Sequence, residues 1–302
     1  MRKIFFASAI LIFSWLIIFS SRTNAEGVWR LDGTDKNELP KNFRLIEDLK
    51  ASASGQPSLD GLKKIYEEVR KHTGSTIYIV DLREESHGFA DKTPVSWYVE
   101  KNRGNYYRGY EKSYEEEQLK DLQGKLTEFV PLGNSDKKYL RPIKFSPKKT
   151  LSEGQAVEDF NYELINPHIN GKYFPQIQYA RFPATDMIFP SPQVVDDFLS
   201  FVNRLGRNDW LHFHCHAGHG RTTTFLVFYE ILKNPDSSLE EICHRQHLLG
   251  GSDLLAHSDG NDWYAQAHND RAEKLRLFYR YMQLFRSGEI SMSFSEFWQK
   301  EM

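Results

Sequence analysis

The stretch that decides the fold is His214-Cys215-His216-Ala217-Gly218-His219-Gly220-Arg221-Thr222. Ahead of it Trp210-Leu211-His212-Phe213 has the pattern of a buried strand, and behind it Thr222 to Leu232 is a largely apolar helix. Cys215 therefore opens a short loop between a strand and a helix. Five residues separate it from Arg221. Two of them, Gly218 and Gly220, can take positive φ and let successive backbone N–H groups turn inward, which makes a cup for a tetrahedral oxyanion. The helix N-terminus and the Arg221 guanidinium both favour anions there, and the same field favours a thiolate at Cys215.

Outward from this loop, the 302-residue length suits one large domain or a domain with an insert, and 40% hydrophobic with 26% charged residues is an ordinary globular composition. Arg2 and Lys3, the apolar block Ile4 to Phe19 and the ending Thr23-Asn24-Ala25 read as a secretory signal peptide over residues 1–25, cut after Ala25. The alternative is a retained N-terminal anchor, since the block is only slightly short of the roughly 20 residues a span needs. Export, to the periplasm or the medium, follows from the first reading, with no stable membrane association after cleavage. The cut removes three bases and no acids from 39 Lys and Arg against 41 Asp and Glu, leaving a net charge of −5. Such a chain is no general binder of polyanions such as nucleic acid; a highly phosphorylated substrate would need a local basic pocket. Of the two cysteines, Cys215 must stay free if it is a nucleophile, and Cys243 reads as a buried small side chain in a helix over Ser238 to His247; a disulfide between them is the alternative.

Along the chain, Glu26 to Pro40 reads as a polar, poorly structured lead-in. Pro57-Ser58 begins a helix with Leu62, Ile65 and Val69 on one face, ended by Gly74. Thr76 to Leu82 is nearly continuous and apolar, as in a central strand covered on both sides, with Asp81 and Arg83 at the C-terminal edge where ligands bind in open α/β sheets. From Lys92 to about Pro147 short strand-like pieces (Pro94 to Val99, Glu128 to Leu132, Tyr139 to Phe145) surround a charged helical stretch, Tyr110 to Leu122. Residues 92–146 thus form a small β-rich insert, and 26–91 with 147–302 the core. Ser152 to Leu164 predicts a helix and Gln176 to Phe182 a strand. The loop Pro183 to Pro190 carries Asp186, and Ser191-Pro192 starts a helix through Leu205. Asp262 to Arg286 and Ser293 to Lys300 close the chain as helices.

Cys-x5-Arg followed by Thr resembles the signature of cysteine-dependent phosphatases of the protein tyrosine phosphatase superfamily. The resemblance tightens to the bacterial protein-tyrosine-phosphatase-like phytases in Pro40 to Arg44, Asp81 to Gly88, Pro94 to Tyr98, Ala184-Thr185-Asp186 and Arg245-Gln246-His247 before Gly250-Gly251. It implies an α/β fold: a phosphatase core with a mainly parallel sheet flanked by helices, plus a partial-barrel insert. It implies hydrolysis of phosphate monoesters of myo-inositol polyphosphates such as phytate, with no cofactor and no metal. Cys215 is then the nucleophile, Arg221 the phosphate clamp, Thr222 a hydroxyl donor to the thiolate and Asp186 the acid for the leaving group.

The loop residues His214, His216, Ala217, Gly218, His219 and Gly220 line the phosphate seat, His214 from beneath with its ring hydrogen-bonded to backbone. His216 and His219 stand where similar phosphoinositide phosphatases have lysines, so activity on polyphosphates is expected to be greatest at mildly acidic pH; structural or exposed histidines are the alternative. Arg44, Asp81, His268 and Arg271 match outer substrate positions, Asp81 that of an acid binding a sugar hydroxyl. Met187 and Tyr264 depart from the family, which has a histidine and a lysine there. A protein tyrosine or phosphoinositide phosphatase shares the loop chemistry and remains open, as do a non-catalytic phosphate-binding module and a rhodanese-like sulfurtransferase.

Overall fold

The fold is given by a computed structural model that describes residues 27–33, 36–98, 112–131, 141–166 and 174–302. The expected signal peptide lies outside the described residues. In chain order the strands are β1 (Val28–Leu31), β2 (Arg44–Ile46), β3 (Ala51–Ser54), β4 (Ile77–Arg83), β5 (His87–Ala90), β6 (Thr93–Tyr98), β7 (Thr127–Pro131), β8 (Ile143–Phe145), β9 (Thr150–Ser152), β10 (Ile177–Ala184) and β11 (Trp210–His214). The helices are α1 (Leu59–Val69), α2 (Lys112–Lys120), α3 (Glu153–Ile165), α4 (Pro192–Val202), α5 (Gly220–Lys233), α6 (Leu239–Leu248), α7 (Trp263–Ser287) and α8 (Phe294–Glu301).

Two sheets form. The first has the order β10-β4-β11-β3-β2, parallel except at the β2 edge. The apolar run of residues 77–82 is its second strand, with only Tyr78 partly exposed, because helices cover both faces as a parallel sheet requires. Strands β4 and β11 run in register from Trp210↔Ile77 to His214↔Asp81, so the residue before Cys215 lies beside Asp81 at the C-terminal edge. The α/β class and the mainly parallel core sheet are as the sequence implies.

The second sheet has the order β8-β7-β1-β6-β5-β9 and is wider than the expected 92–146 insert, since β1, β5 and β9 come from outside it. The lead-in read as unstructured contains β1, antiparallel to β6 and parallel to β7. Only four residues long, β1 buries Trp29 and Leu31 while Val28 is exposed and Arg30 half-buried, an alternation too short to stand out in a polar stretch. Strands β5 and β6 form a hairpin whose turn residue Asp91 has φ 55°, a conformation aspartate tolerates better than most side chains.

Helix α5 explains why the loop holds its shape. All eleven residues from Arg221 to Ile231 are buried, and Phe225 and Phe228 pack with Phe182, Phe198 and Phe278. At about 1.5–3 kcal/mol for each fully buried side chain of this size, the phenylalanine cluster anchors the helix that follows the loop. Helix α7 runs 25 residues behind it and ends on Gly288 at φ 79°.

Candidate active site

The loop between β11 and α5 is tied by its carbonyls. The Gln56 amide donates to the His216 carbonyl at 3.0 Å, and Asn42 Nδ2 and Arg44 Nη1 donate to the Gly218 carbonyl at 3.1 and 3.0 Å. Gly218 has φ +76°, and a Cβ there would lie 2.5 Å from the Gly55 amide nitrogen, so only glycine fits. A Cβ on Gly220 would come within 2.9 Å of Arg271 Nη1. Helices α1, α3, α4, α6, α7 and α8 each start on a serine or aspartate that caps the first turn. Helix α5 starts at His219 with no side-chain cap, which leaves its N-terminal amides for an anion.

Cys215 is buried and unpaired with Cys243, so both thiols are free. Burial in α6 pushes the Cys243 thiol up to about 12, as suits a packing residue. Thr222 follows Arg221 with its hydroxyl buried and without a hydrogen-bond partner. Arg221 is gripped by Glu85: Nη1 donates to Oε2 at 2.7 Å and Nη2 to Oε1 at 3.1 Å, while Nη1 also meets the Ala184 carbonyl at 3.2 Å. The remaining Nε lies 3.2 Å from Asp186 Oδ1. Burial opposes the charge of Arg221, but Asp186, Glu85 and Cys215 together hold its pKa well above the ordinary value. Asp186 is the most open of these groups, its side chain 38% exposed, and Met187 beside it sits at φ 71°, where a side chain other than glycine is uncommon. Through Arg221, Asp186 thus meets the loop that carries Cys215 and leads into Thr222.

Glu85 extends the site inward. Arg83 Nε donates to Glu85 Oε1 at 2.9 Å, and Arg83 Nη1 to Asp32 Oδ2 at 2.9 Å and to Gln56 Oε1 at 2.7 Å. Burial would raise both acids, yet Arg221 and Arg83 hold Glu85, and Arg83 and His216 hold Asp32, well below the usual carboxylate range.

Asp81 faces the protein interior. It is fully buried, accepting from Tyr179 Oη at 2.6 Å and the Arg83 amide at 2.9 Å, with His87 Nε2 at 3.1 Å and Arg181 Nε at 3.3 Å. The register puts it beside His214, and with no exposed surface it braces its neighbours where contact with a sugar hydroxyl was expected. His214 likewise faces a side chain where backbone was expected: its Nε2 lies 3.2 Å from Glu153 Oε1, and the residue has no exposure. His87 stands between Asp81 and Glu153; burial opposes its charge, but Asp81 and then Glu153 push its pKa up to about 10. Asp81, His87 and Glu153 lie close enough to share an ion. Tyr179 and Arg181 lie on Asp81 Oδ2, and Gln56 Nε2 donates to Glu153 Oε2 at 2.9 Å.

The outer residues divide. Arg271 is buried on α7 against Gly220, its pKa lowered by burial and supported by Asp186, so it reaches the loop. His268 is engaged on both sides, Nε2 on the Ala256 carbonyl at 2.7 Å and Nδ1 on Arg271 Nη2 at 3.1 Å, and holds Arg271 where a direct substrate contact was expected. Arg44 braces Gly218; burial lowers its pKa to about 10, against which Cys215 acts. Tyr264 is exposed on α7. A cavity of about 560 Å³ opens on the His216, Ala217 and His219 side, walled by Asp32, Lys36, Lys41, Asn42 and Gln56. His216 Nε2 lies 3.3 Å from Asp32 Oδ1. Burial and then Arg44 lower the pKa of His219, so it charges only below the range expected of a free histidine.

The family model described as "PTPlike_phytase: Inositol hexakisphosphate" matches residues 80–233, just over half of the chain. The chain belongs to the PTP-like phytase family. Its fold is similar to that of the PTP-like myo-inositol phosphatase from Mitsuokella multacida in complex with myo-inositol-(1,3,4,5)-tetrakisphosphate: TM-score 0.78 and 30% identity over 91% of this chain and 50% of that one. It is also similar to a PTP-like phytase from Bdellovibrio bacteriovorus, with TM-score 0.69 and 30% identity over 90% of this chain and 94% of that one. Among curated proteins, effector protein hopD2 of Pseudomonas syringae pv. tomato is 26% identical over 204 residues, 66% of this chain and 41% of that protein. The chain therefore spans half or less of the Mitsuokella protein and of hopD2. The sequence reading placed Arg83 at the ligand edge of β4 but gave no role to Glu85, Asp32, His87 or Glu153, which the structure joins to the loop. Glu85 and His87 lay in the polar run directly after β4, a signal available in the sequence; Asp32 and Glu153 carried none.

Proposed function

We propose that this chain is a phosphatase that hydrolyses phosphate monoesters of myo-inositol polyphosphates through a cysteinyl-phosphate. The observation that carries the reading is Arg221, with both Nη atoms on Glu85 and Nε turned to Asp186, on the loop that Cys215 opens. A bound phosphate takes Nε and the free amides of α5, and Asp186 is released toward the leaving oxygen. The Cys215 thiolate forms the S–P bond as the P–O bond to the inositol carbon breaks, and Asp186 gives its proton to that alkoxide. Water then attacks phosphorus with Asp186 taking a proton, and the departing thiolate is received by the unpartnered Thr222 hydroxyl. Arg221 and the amides supply the positive field that the equatorial oxygens require, so the step needs no metal. The inositol polyphosphate bound by the Mitsuokella relative, together with the cavity carrying Lys36, Lys41 and the loop histidines, supports this substrate class. Export through the N-terminal leader is part of the same proposal, and N-terminal sequencing of the secreted protein tests it.

Phosphate release from inositol hexakisphosphate and from a phosphotyrosine peptide, by wild type and Cys215→Ser, decides the substrate. The reading expects turnover of the inositol phosphate, poor turnover of the peptide and loss of both in the variant. Equal or better peptide turnover would instead favour a protein phosphatase.

A further inference from the structure

Asp32, at the end of β1, reaches the catalytic loop from the second sheet. Its carboxylate is fully buried and fixed from three strands: Arg30 Nε at 3.2 Å and Ser96 Oγ at 2.8 Å on Oδ1, and Arg83 Nη1 at 2.9 Å on Oδ2. Beside Oδ1, at 3.3 Å, lies Nε2 of His216, whose side chain is 18% exposed on the cavity wall. That Nε2 is itself buried, with the Asp32 carboxylate as the charged group beside it. The same Arg83 leads through Glu85 to Arg221. A ring of buried charges thus closes on the loop at both ends, at the residue after the nucleophile and at the phosphate clamp.

We propose that Asp32 is a positioning residue for substrate: it fixes the His216 imidazole at the cavity wall and thereby sets the preference for substrates carrying further phosphates over a simple monoester. This rests on the inositol polyphosphate reading of the cavity. The Asp32 side chain has no accessible surface with which to touch a ligand, so its effect passes through His216. A free imidazole samples several rotamers and must be ordered when the substrate binds; one already held by a fixed carboxylate has that entropy removed in advance. The predicted signature is therefore in KM, for the polyphosphorylated substrate above all.

The test is a double-mutant cycle, Asp32→Asn, His216→Gln and the pair, with kcat and KM measured on inositol hexakisphosphate and on p-nitrophenyl phosphate. Each single variant is expected to raise KM for inositol hexakisphosphate about tenfold more than KM for p-nitrophenyl phosphate, and the double variant to do no worse than His216→Gln alone. Additive effects, or equal losses on the two substrates, would overturn the proposal. Wild type inactive on inositol hexakisphosphate but active on p-nitrophenyl phosphate would overturn the substrate reading itself, and the proposal with it. If circular dichroism shows that Asp32→Asn does not fold, Ser96→Ala decides: loosening the same carboxylate oxygen should raise the inositol hexakisphosphate KM selectively by about threefold, and a non-selective change would overturn the proposal.

Discussion

Glu85 holds Arg221 by two parallel hydrogen bonds, 2.7 and 3.1 Å, so the guanidinium plane is set before any phosphate arrives. Such fork-to-fork pairing of an arginine with a carboxylate adds geometric definition to the charge. Replacing Glu85 by Gln keeps the shape and removes the charge, leaving both Arg221 and Arg83 short of a buried partner. Breaking a buried pair from one side costs about 3–5 kcal/mol, and the same is expected here in urea denaturation. With p-nitrophenyl phosphate the kcat of Glu85→Gln should fall by about 10²-fold or more, as for other losses of a preorganised electrostatic group. An unchanged kcat would mean that Arg221 orients itself.

Gly218 packs against Gly55, and the space for a Cβ is filled by backbone. In Gly218→Ala the loop or the 54–55 segment must shift, and φ +76° is itself unfavourable for alanine. We expect loss of phosphatase activity and a stability decrease on the order of 2 kcal/mol, from the left-handed backbone and the clash together. Near-UV circular dichroism retained beside lost activity would localise the damage to the loop.

How much of this was legible before the structure depends on what each residue answers to. The β11–loop–α5 unit could be read directly, because glycines, the cysteine and the arginine act over a few residues and the apolar runs on either side are long. Strand β4 was legible for the same reason. Strand β1 was not, since four residues in a polar stretch carry little pattern, and with it Asp32 was missed. The sheet edge and the family resemblance together made Asp81 a candidate ligand residue. Its inward direction depends on Tyr179, Arg181 and His87, which come from other strands and which periodicity does not report.

The buried histidine between Asp81 and Glu153 predicts how stability varies with pH. His87 is pushed up to about 10 in the fold, above the roughly 6.5 of a free histidine, so the folded state binds its proton more tightly than the unfolded state. This contribution is fully present below the unfolded value and is lost as pH rises through the folded one. Glu85 and Asp32, held below their ordinary values, contribute above those values and lose it as pH falls. The melting temperature is therefore expected to decline on both sides of a maximum at mildly acidic to neutral pH. His87→Gln, though less stable overall, should flatten the alkaline limb; an equally steep limb would place its cause elsewhere.

Asp186 lies 3.2 Å from Arg221 Nε, and its side chain is 38% exposed. As the acid, it matters in proportion to how poor the leaving group is. Asp186→Asn should therefore slow inositol phosphate hydrolysis by about 10²–10⁴-fold while slowing release of an activated aryl phosphate far less. Equal slowing of both would remove Asp186 from that role.

In the proposed mechanism phosphate passes through the Cys215 sulfur. The most direct measurement is mass spectrometry of peptides from enzyme acid-quenched during turnover of inositol hexakisphosphate, using wild type, Asp186→Asn and Cys215→Ser. A phosphoryl group on Cys215 is expected in wild type, with less of it in Asp186→Asn, where its formation against the poor alkoxide leaving group is slowed, and with no turnover in Cys215→Ser. Turnover that survives in Cys215→Ser, or a phosphoryl group carried by any other residue, would contradict the proposed mechanism.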